Sequence, residues 1–175
     1  MSEVRPFHWV ARFFSSIRPG RPKPADEAWA LGLLSEREAA QFSKMGNPDR
    51  RHSIAVAREV DRVLDPDVER RDEVLAAALL HDIGKTASGL RTYGRAIATL
   101  SGAIGGRSYA EHWQGGFGFT RKVGLYLRYP SLGAEMLQMA SSRPWVIAWA
   151  AEHHLPEEEW TVPVDVFRVV EAADR

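Results

Sequence analysis

The 175-residue chain contains no cysteine. That excludes disulfides, zinc-thiolate sites and cysteine nucleophiles, so any metal must be held by nitrogen and oxygen donors from His, Asp and Glu. The chain also carries no net charge, with 23 Lys and Arg against 23 Asp and Glu. No global field draws in nucleic acid and none repels an anionic substrate, so any attraction for phosphate has to be local. Nor does any apolar run approach the roughly 18 to 20 residues of a membrane span, and the N-terminus lacks the apolar stretch and small-residue cleavage site of a signal peptide. These absences predict a cytoplasmic protein with no transmembrane segment and no nucleic-acid partner. A composition that is 45% hydrophobic and 26% charged suits one well-packed domain.

Proline and glycine are concentrated rather than spread. Arg18-Pro19-Gly20-Arg21-Pro22-Lys23-Pro24 reads as an extended basic linker. Before it, Phe7, Val10, Phe13, Phe14 and Ile17 share one helical face, which packs on the domain or lies on a membrane surface. Residues 1–24 are therefore expected to be an N-terminal amphipathic helix and linker, with the domain in residues 25–175. A second breaker-rich stretch, glycines 102 to 118 around Tyr109, His112, Trp113 and Phe117, is either a lid or an irregular loop. It forms no phosphate-binding loop, because no strand precedes it and no GK[ST] follows.

What remains is helical in period, and no strand pattern or repeat stands out. Short helices are expected over Asp26 to Leu34 and, behind a capping box at Ser35 and Glu38, over Glu36 to about Lys44. The next begins near Asp49, carries His52, and repeats Ile54, Ala57, Val60 and Leu64 at helical spacing. After Pro66, Asp67 to Leu80 should form the helix whose apolar run ends in His81-Asp82-Ile83-Gly84-Lys85. An imidazole and a carboxylate at a buried helix end need compensation, which a divalent cation supplies; at a surface helix end they would merely cap or hydrogen-bond, and the five residues alone leave both readings open. Gly84 is expected to take a left-handed helix-ending conformation, with Lys85 as a cation near the helix C-terminus. Further segments are Leu90 to Leu100, Lys122 to Tyr129, Leu132 to Ser141, Trp145 to His154, and a last helix from Pro163. That last helix should bury Val166, Val169, Val170 and Ala173. It places Asp174 in its final turn, where fraying would loosen a ligand.

An isolated His52, the doublet His81-Asp82, the later pair His153-His154 and Asp174, in this order on amphipathic helices, resemble the HD superfamily of metal-dependent phosphohydrolases. HDIGK followed by Pro130-Ser131-Leu132-Gly133-Ala134-Glu135-Met136-Leu137 is similar to its HDIG branch, and the ordered set is more specific than any one motif. The resemblance implies an all-α HD-domain bundle of roughly seven to nine helices. It assigns His52, His81, Asp82 and Asp174 to a first metal. A second metal is normally completed by a His just before the Pro-x-x-Gly-Ala motif and by the His-His pair. Here that position holds Tyr129, and a phenol titrating near pH ~10 is a poorer neutral-pH ligand than imidazole.

The expectation is therefore one tight divalent ion (Mn, Fe, Ni, Co or Mg), with His153 or His154 binding phosphate or a weak second ion. Such a site lowers the pKa of water and draws charge from a phosphoryl oxygen. Asp82 and Lys85 are the candidate catalytic residues. Lys85, His153, His154 and Arg51 are the candidates for binding a small phosphorylated substrate, most naturally a nucleotide. A degenerate domain that binds a nucleotide or partner without turnover is the alternative, and a di-iron oxygenase a second one that needs the complete second site. Two branches are disfavoured. The cyclic-dinucleotide enzymes carry Asp-Gly-x-Gly-Tyr-Pro after the His-His pair, where this chain reads Leu155-Pro156-Glu157-Glu158-Glu159-Trp160. The guanosine-tetraphosphate enzymes place an acidic pair where this chain has Lys85 and Thr86.

Overall fold

The computed structural model describes residues 20–89 and 118–175. The expected helices at Phe7 to Ile17 and Leu90 to Leu100, and the glycine-rich stretch before Gly118, lie outside the described residues. Within them are eight α-helices, two short 3-10 helices and no strand. The helices are α1 (Pro24–Gly32), α2 (Glu36–Phe42), α3 (Asn47–Val63), α4 (Arg71–Leu80), α5 (Gly118–Leu127), α6 (Tyr129–Met139), α7 (Pro144–Glu152) and α8 (Val164–Asp174). The all-α expectation holds. Among the described residues no helix is long and apolar enough to cross a membrane.

Helix α4 is the axis of the bundle. Every residue from Glu73 to Leu80 is buried, as befits a helix that is apolar all round, and α2, α3, α7 and α8 pack against it. Its one acidic core residue is satisfied across the bundle: Glu73 accepts from the backbone N–H of Trp145 at 2.7 Å and pairs with Arg70 at 2.5 Å. The start is later than the sequence suggests. Asp65 accepts from the Asp67 amide in a turn after Leu64, and Arg70 adopts a left-handed conformation, so the helix opens at Arg71 rather than Asp67. The capping box forms as expected, Ser35 Oγ accepting from Glu38 and Glu38 accepting from Ser35.

Two other boundaries bear on the site. Pro130 does not separate two helices but sits in the first turn of α6, where its missing N–H has no partner to lose. Tyr129 therefore opens α6 instead of closing α5. In α8, Phe167 and Val170 are the fully buried residues, while Val166, Val169 and Ala173 are half-buried against the core. The expected inward face of α7, Val146, Trp149 and Ala150, is buried.

Gly84 corrects a second expectation. The chain continues from α4 into a 3-10 helix, Ile83–Ser88, and the left-handed residue that ends it is Gly89. Glycine is needed at 84 for proximity: a Cβ there would lie 1.8 Å from the Tyr129 carbonyl oxygen and 2.7 Å from the Gly133 nitrogen. Gly133 approaches Gly84 from the other side, its own Cβ position lying 3.1 Å from the Gly84 nitrogen. Two glycines thus let the HDIGK turn rest backbone to backbone on α6.

Gly84→Ala should therefore destabilise the protein by at least about 3 kcal/mol in urea unfolding, because rigid backbone must move. Gly32→Ala, with nothing within 4 Å of its Cβ position at the end of α1, should be neutral or slightly stabilising. Equal effects would show that the close approach does not matter.

Candidate metal centre

Four elements bring the site together. His52 comes from the first turns of α3, His81 and Asp82 from the end of α4, and Asp174 from the last turn of α8. His153, from the end of α7, lies on the other side of the doublet. His81 and Asp82 are each only 2% exposed, so neither can rely on water. His52 Nε2 lies 2.8 Å from Asp174 Oδ1, while His81 Nε2 lies 3.4 Å from Asp82 Oδ2 and 3.6 Å from Asp174 Oδ1. One donor atom each from His52, His81 and Asp82 fall within 4.8 Å of one another.

The backbone fixes which face of each ring points inward. His81 Nδ1 is 2.9 Å from the Ala78 carbonyl and donates to it, which leaves Nε2 aimed at the two carboxylates. Nε2 is buried and makes no hydrogen bond, since its distances to Asp82 and Asp174 are too long for one. His153 is oriented in the same way: Nδ1 donates to the carbonyls of Trp149 and Ala150, both at 3.1 Å, and Nε2 points towards Asp82 Oδ1 at 3.9 Å. A buried donor atom without a partner, facing two carboxylates and another imidazole, fits a divalent cation of nitrogen and oxygen preference.

The electrostatics of the metal-free protein say the same. Burial pulls the His81 pKa down, but the neighbouring charges of Asp82 and Asp174 outweigh it and raise the value from 6.5 to about 9. Burial pushes Asp82 up, yet the charges of Lys85 and His81 hold it well below the ordinary carboxylate range. Asp174 behaves alike, its burial overcome by the His52 hydrogen bond and the His81 charge. For His153, burial and the nearby charge of His81 act together and lower the value to about 3, so it stays neutral. A proton on His81 therefore occupies the place of positive charge that a cation would take.

Lys85 is brought into the site, its ammonium paired closely with Asp82 Oδ2 and 4.9 Å from the Tyr129 ring centre. His154 is exposed and its Nε2 contacts the Tyr129 hydroxyl. Arg51 is placed differently: it precedes His52 on α3, and its guanidinium donates to the Gly20 carbonyl in the linker. Sequence reasoning did not foresee the Tyr129 hydroxyl lying against both His153 Nε2, at 3.2 Å, and His154 Nε2. The signal was a tyrosine one residue before Pro130.

The chain matches the HD domain family over residues 49–175, so it belongs to that family. The family is one of metal-dependent phosphohydrolases, and its domains bind divalent metals. Comparisons with curated proteins and with solved structures gave no match.

The pH dependence follows from these shifts. His81, raised from 6.5 to about 9, contributes stability that is complete below pH 6.5 and is lost as pH rises through about 9. His153, lowered from 6.5 to about 3, contributes stability present above pH 6.5 and lost as pH falls towards 3. Metal-free protein should thus be most stable near pH ~6.5, and a cation at His81 Nε2 must displace a proton. Mn(II) affinity, titrated without oxygen, should rise about tenfold per pH unit from 6.5 to 8.5. A flat profile would remove His81 from the ligand set.

Proposed function

We propose that the chain is a metal-dependent phosphohydrolase that cleaves a phosphomonoester or phosphodiester of a small phosphorylated compound, in first place a nucleotide. The observation that carries the reading is the Nε2 of His81, buried, without a hydrogen bond and aimed at the carboxylates of Asp82 and Asp174. We assign His52, His81, Asp82 and Asp174 as ligands of a divalent ion, Mn, Fe, Ni, Co or Mg. When bound, such an ion polarises a phosphoryl oxygen and lowers the pKa of water beside it.

The chain's own residues supply the rest. Asp82 keeps a full negative charge at the floor of the site, and its low pKa makes it a ligand and an anchor for charge rather than a strong base. Lys85 stays charged, because Asp82 more than offsets the effect of burial. Its flexible stem lets the ammonium swing from Asp82 to a substrate phosphate once a cation shares that carboxylate. His153 keeps its Nε2 towards Asp82 Oδ1 behind the cluster, and His154 stands on the exposed side, beside the path by which a substrate phosphate would approach.

A second reading has one observation in its favour. The Tyr129 hydroxyl engages both later histidines, which suits a domain that binds a nucleotide or partner without turnover. The same contact counts against a di-iron oxygenase, which would need both histidines as ligands.

The test is hydrolysis of bis-p-nitrophenyl phosphate and p-nitrophenyl phosphate by protein purified without chelator, for wild type, Asp82→Ala and Lys85→Ala. Hydrolysis by wild type should be abolished in Asp82→Ala and reduced about 10²-fold in Lys85→Ala. The ester that is cleaved identifies the class to screen next. No turnover of either ester with added Mn(II) would leave the binding domain.

A further inference from the structure

Asp82 faces two ways. Its Oδ2 is directed at His81 Nε2 and Lys85, while its Oδ1 is directed at His153 Nε2, 3.9 Å away. The imidazole of His153 stacks near that of His154, their centres 4.1 Å apart, and both Nε2 atoms point to one spot. Two imidazole nitrogens and the second carboxylate oxygen of Asp82 around one spot are the makings of a second cation site that shares Asp82 with the first. The spot is filled by the phenol of Tyr129.

We propose that Tyr129 is a built-in plug that holds the centre at a single metal ion, its hydroxyl standing where a second cation would bind. Three features carry this. The His153 ring commits its Nδ1–H to two backbone carbonyls, so its Nε2 is an acceptor, and the Tyr129 O–H donates to it at 3.2 Å. The phenolic oxygen then accepts from His154 Nε2–H, so both nitrogens are used and neither offers a lone pair to a metal. Tyr129 itself is not free to withdraw. It is 8% exposed, it opens α6, and its carbonyl is pressed against Gly84, which fixes the backbone from which the ring projects.

A neutral phenol also stabilises this arrangement by what it donates. It donates a hydrogen bond to His153 without adding charge beside Asp82 and Lys85, whereas a cation there would lie close to the Lys85 ammonium, which is itself 4.9 Å from the tyrosine ring centre. One ion in the quartet and a hydrogen-bonded phenol beside it are mutually compatible. Two ions are not compatible with the phenol in place.

This inference rests on the quartet binding metal, and the experiment separates the two claims. Metal per chain and the Mn(II) electron paramagnetic resonance spectrum are measured for wild type, Tyr129→His, Tyr129→Ala, His153→Gln and His154→Gln. Circular dichroism checks that each is folded. Wild type should hold about one ion with an uncoupled six-line spectrum, and at least one Tyr129 variant should hold about two with a spin-coupled spectrum. His153→Gln and His154→Gln should keep the wild-type content, since neither ring is a ligand while the phenol is in place. If the Tyr129 variants do not fold, these two decide. About two ions in wild type, or a loss of metal in either histidine variant, would overturn the plug and leave the quartet intact. Folded Tyr129 variants that both stay at one ion would also overturn it. A wild type that takes up no metal at all would refute the metal reading beneath it.

Discussion

A carboxylate at the end of an apolar helix constrains everything around it. Asp82 follows directly on α4, the most completely buried element among the described residues, and is itself buried and ionised. An unpaired charge there would cost several kcal/mol. The structure answers with Lys85 one turn on, His81 alongside, and the His52–Asp174 pair closing over the top. With no metal bound, the carboxylates of Asp82 and Asp174 are balanced by the Lys85 ammonium and a protonated His81. A divalent cation that displaces the His81 proton leaves positive charge in excess at the same place. Metal loading would thereby turn a neutral site into one that attracts an anion, although the chain as a whole has no net charge.

Holding that carboxylate in position explains features that otherwise have no common cause. The HDIGK turn cannot wander, because Gly84 and Gly133 bring its backbone against α6. The rings cannot rotate, because backbone carbonyls of Ala78, Trp149 and Ala150 each take an imidazole N–H. Asp174 comes from the last turn of α8, which a free helix would fray, yet the His52 contact and the burial of Phe167 and Val170 hold that helix to the core.

Much of this was legible in the sequence, and the reasons for success and failure are physical. Helical period pointed to the bundle, and the resemblance to the HD superfamily implied the quartet of His52, His81, Asp82 and Asp174, whose side chains the structure brings together. These depend on spacing along single helices and on an ordered motif set. The role of Gly84 was misjudged because a sequence shows a glycine's conformational freedom but not the atom that a side chain would strike. The role of Tyr129 was half visible. Its departure from an imidazole was evident, whereas its contact with both His153 and His154 depends on α6 beginning at residue 129, which Pro130 had obscured. Arg51, a candidate for binding phosphate, donates to the Gly20 carbonyl, a tertiary contact that spacing along a helix does not show.

The central claim is that the quartet is a cation site on which the stability of the α4 terminus depends. The most direct test is the melting temperature of wild type and Asp174→Asn as Mn(II) is raised from zero to saturation. Wild type should gain about 2.7 kcal/mol at a hundredfold excess over its dissociation constant, seen as a rise of several degrees, and Asp174→Asn should gain little. No rise in wild type, or an equal rise in the variant, would contradict the account.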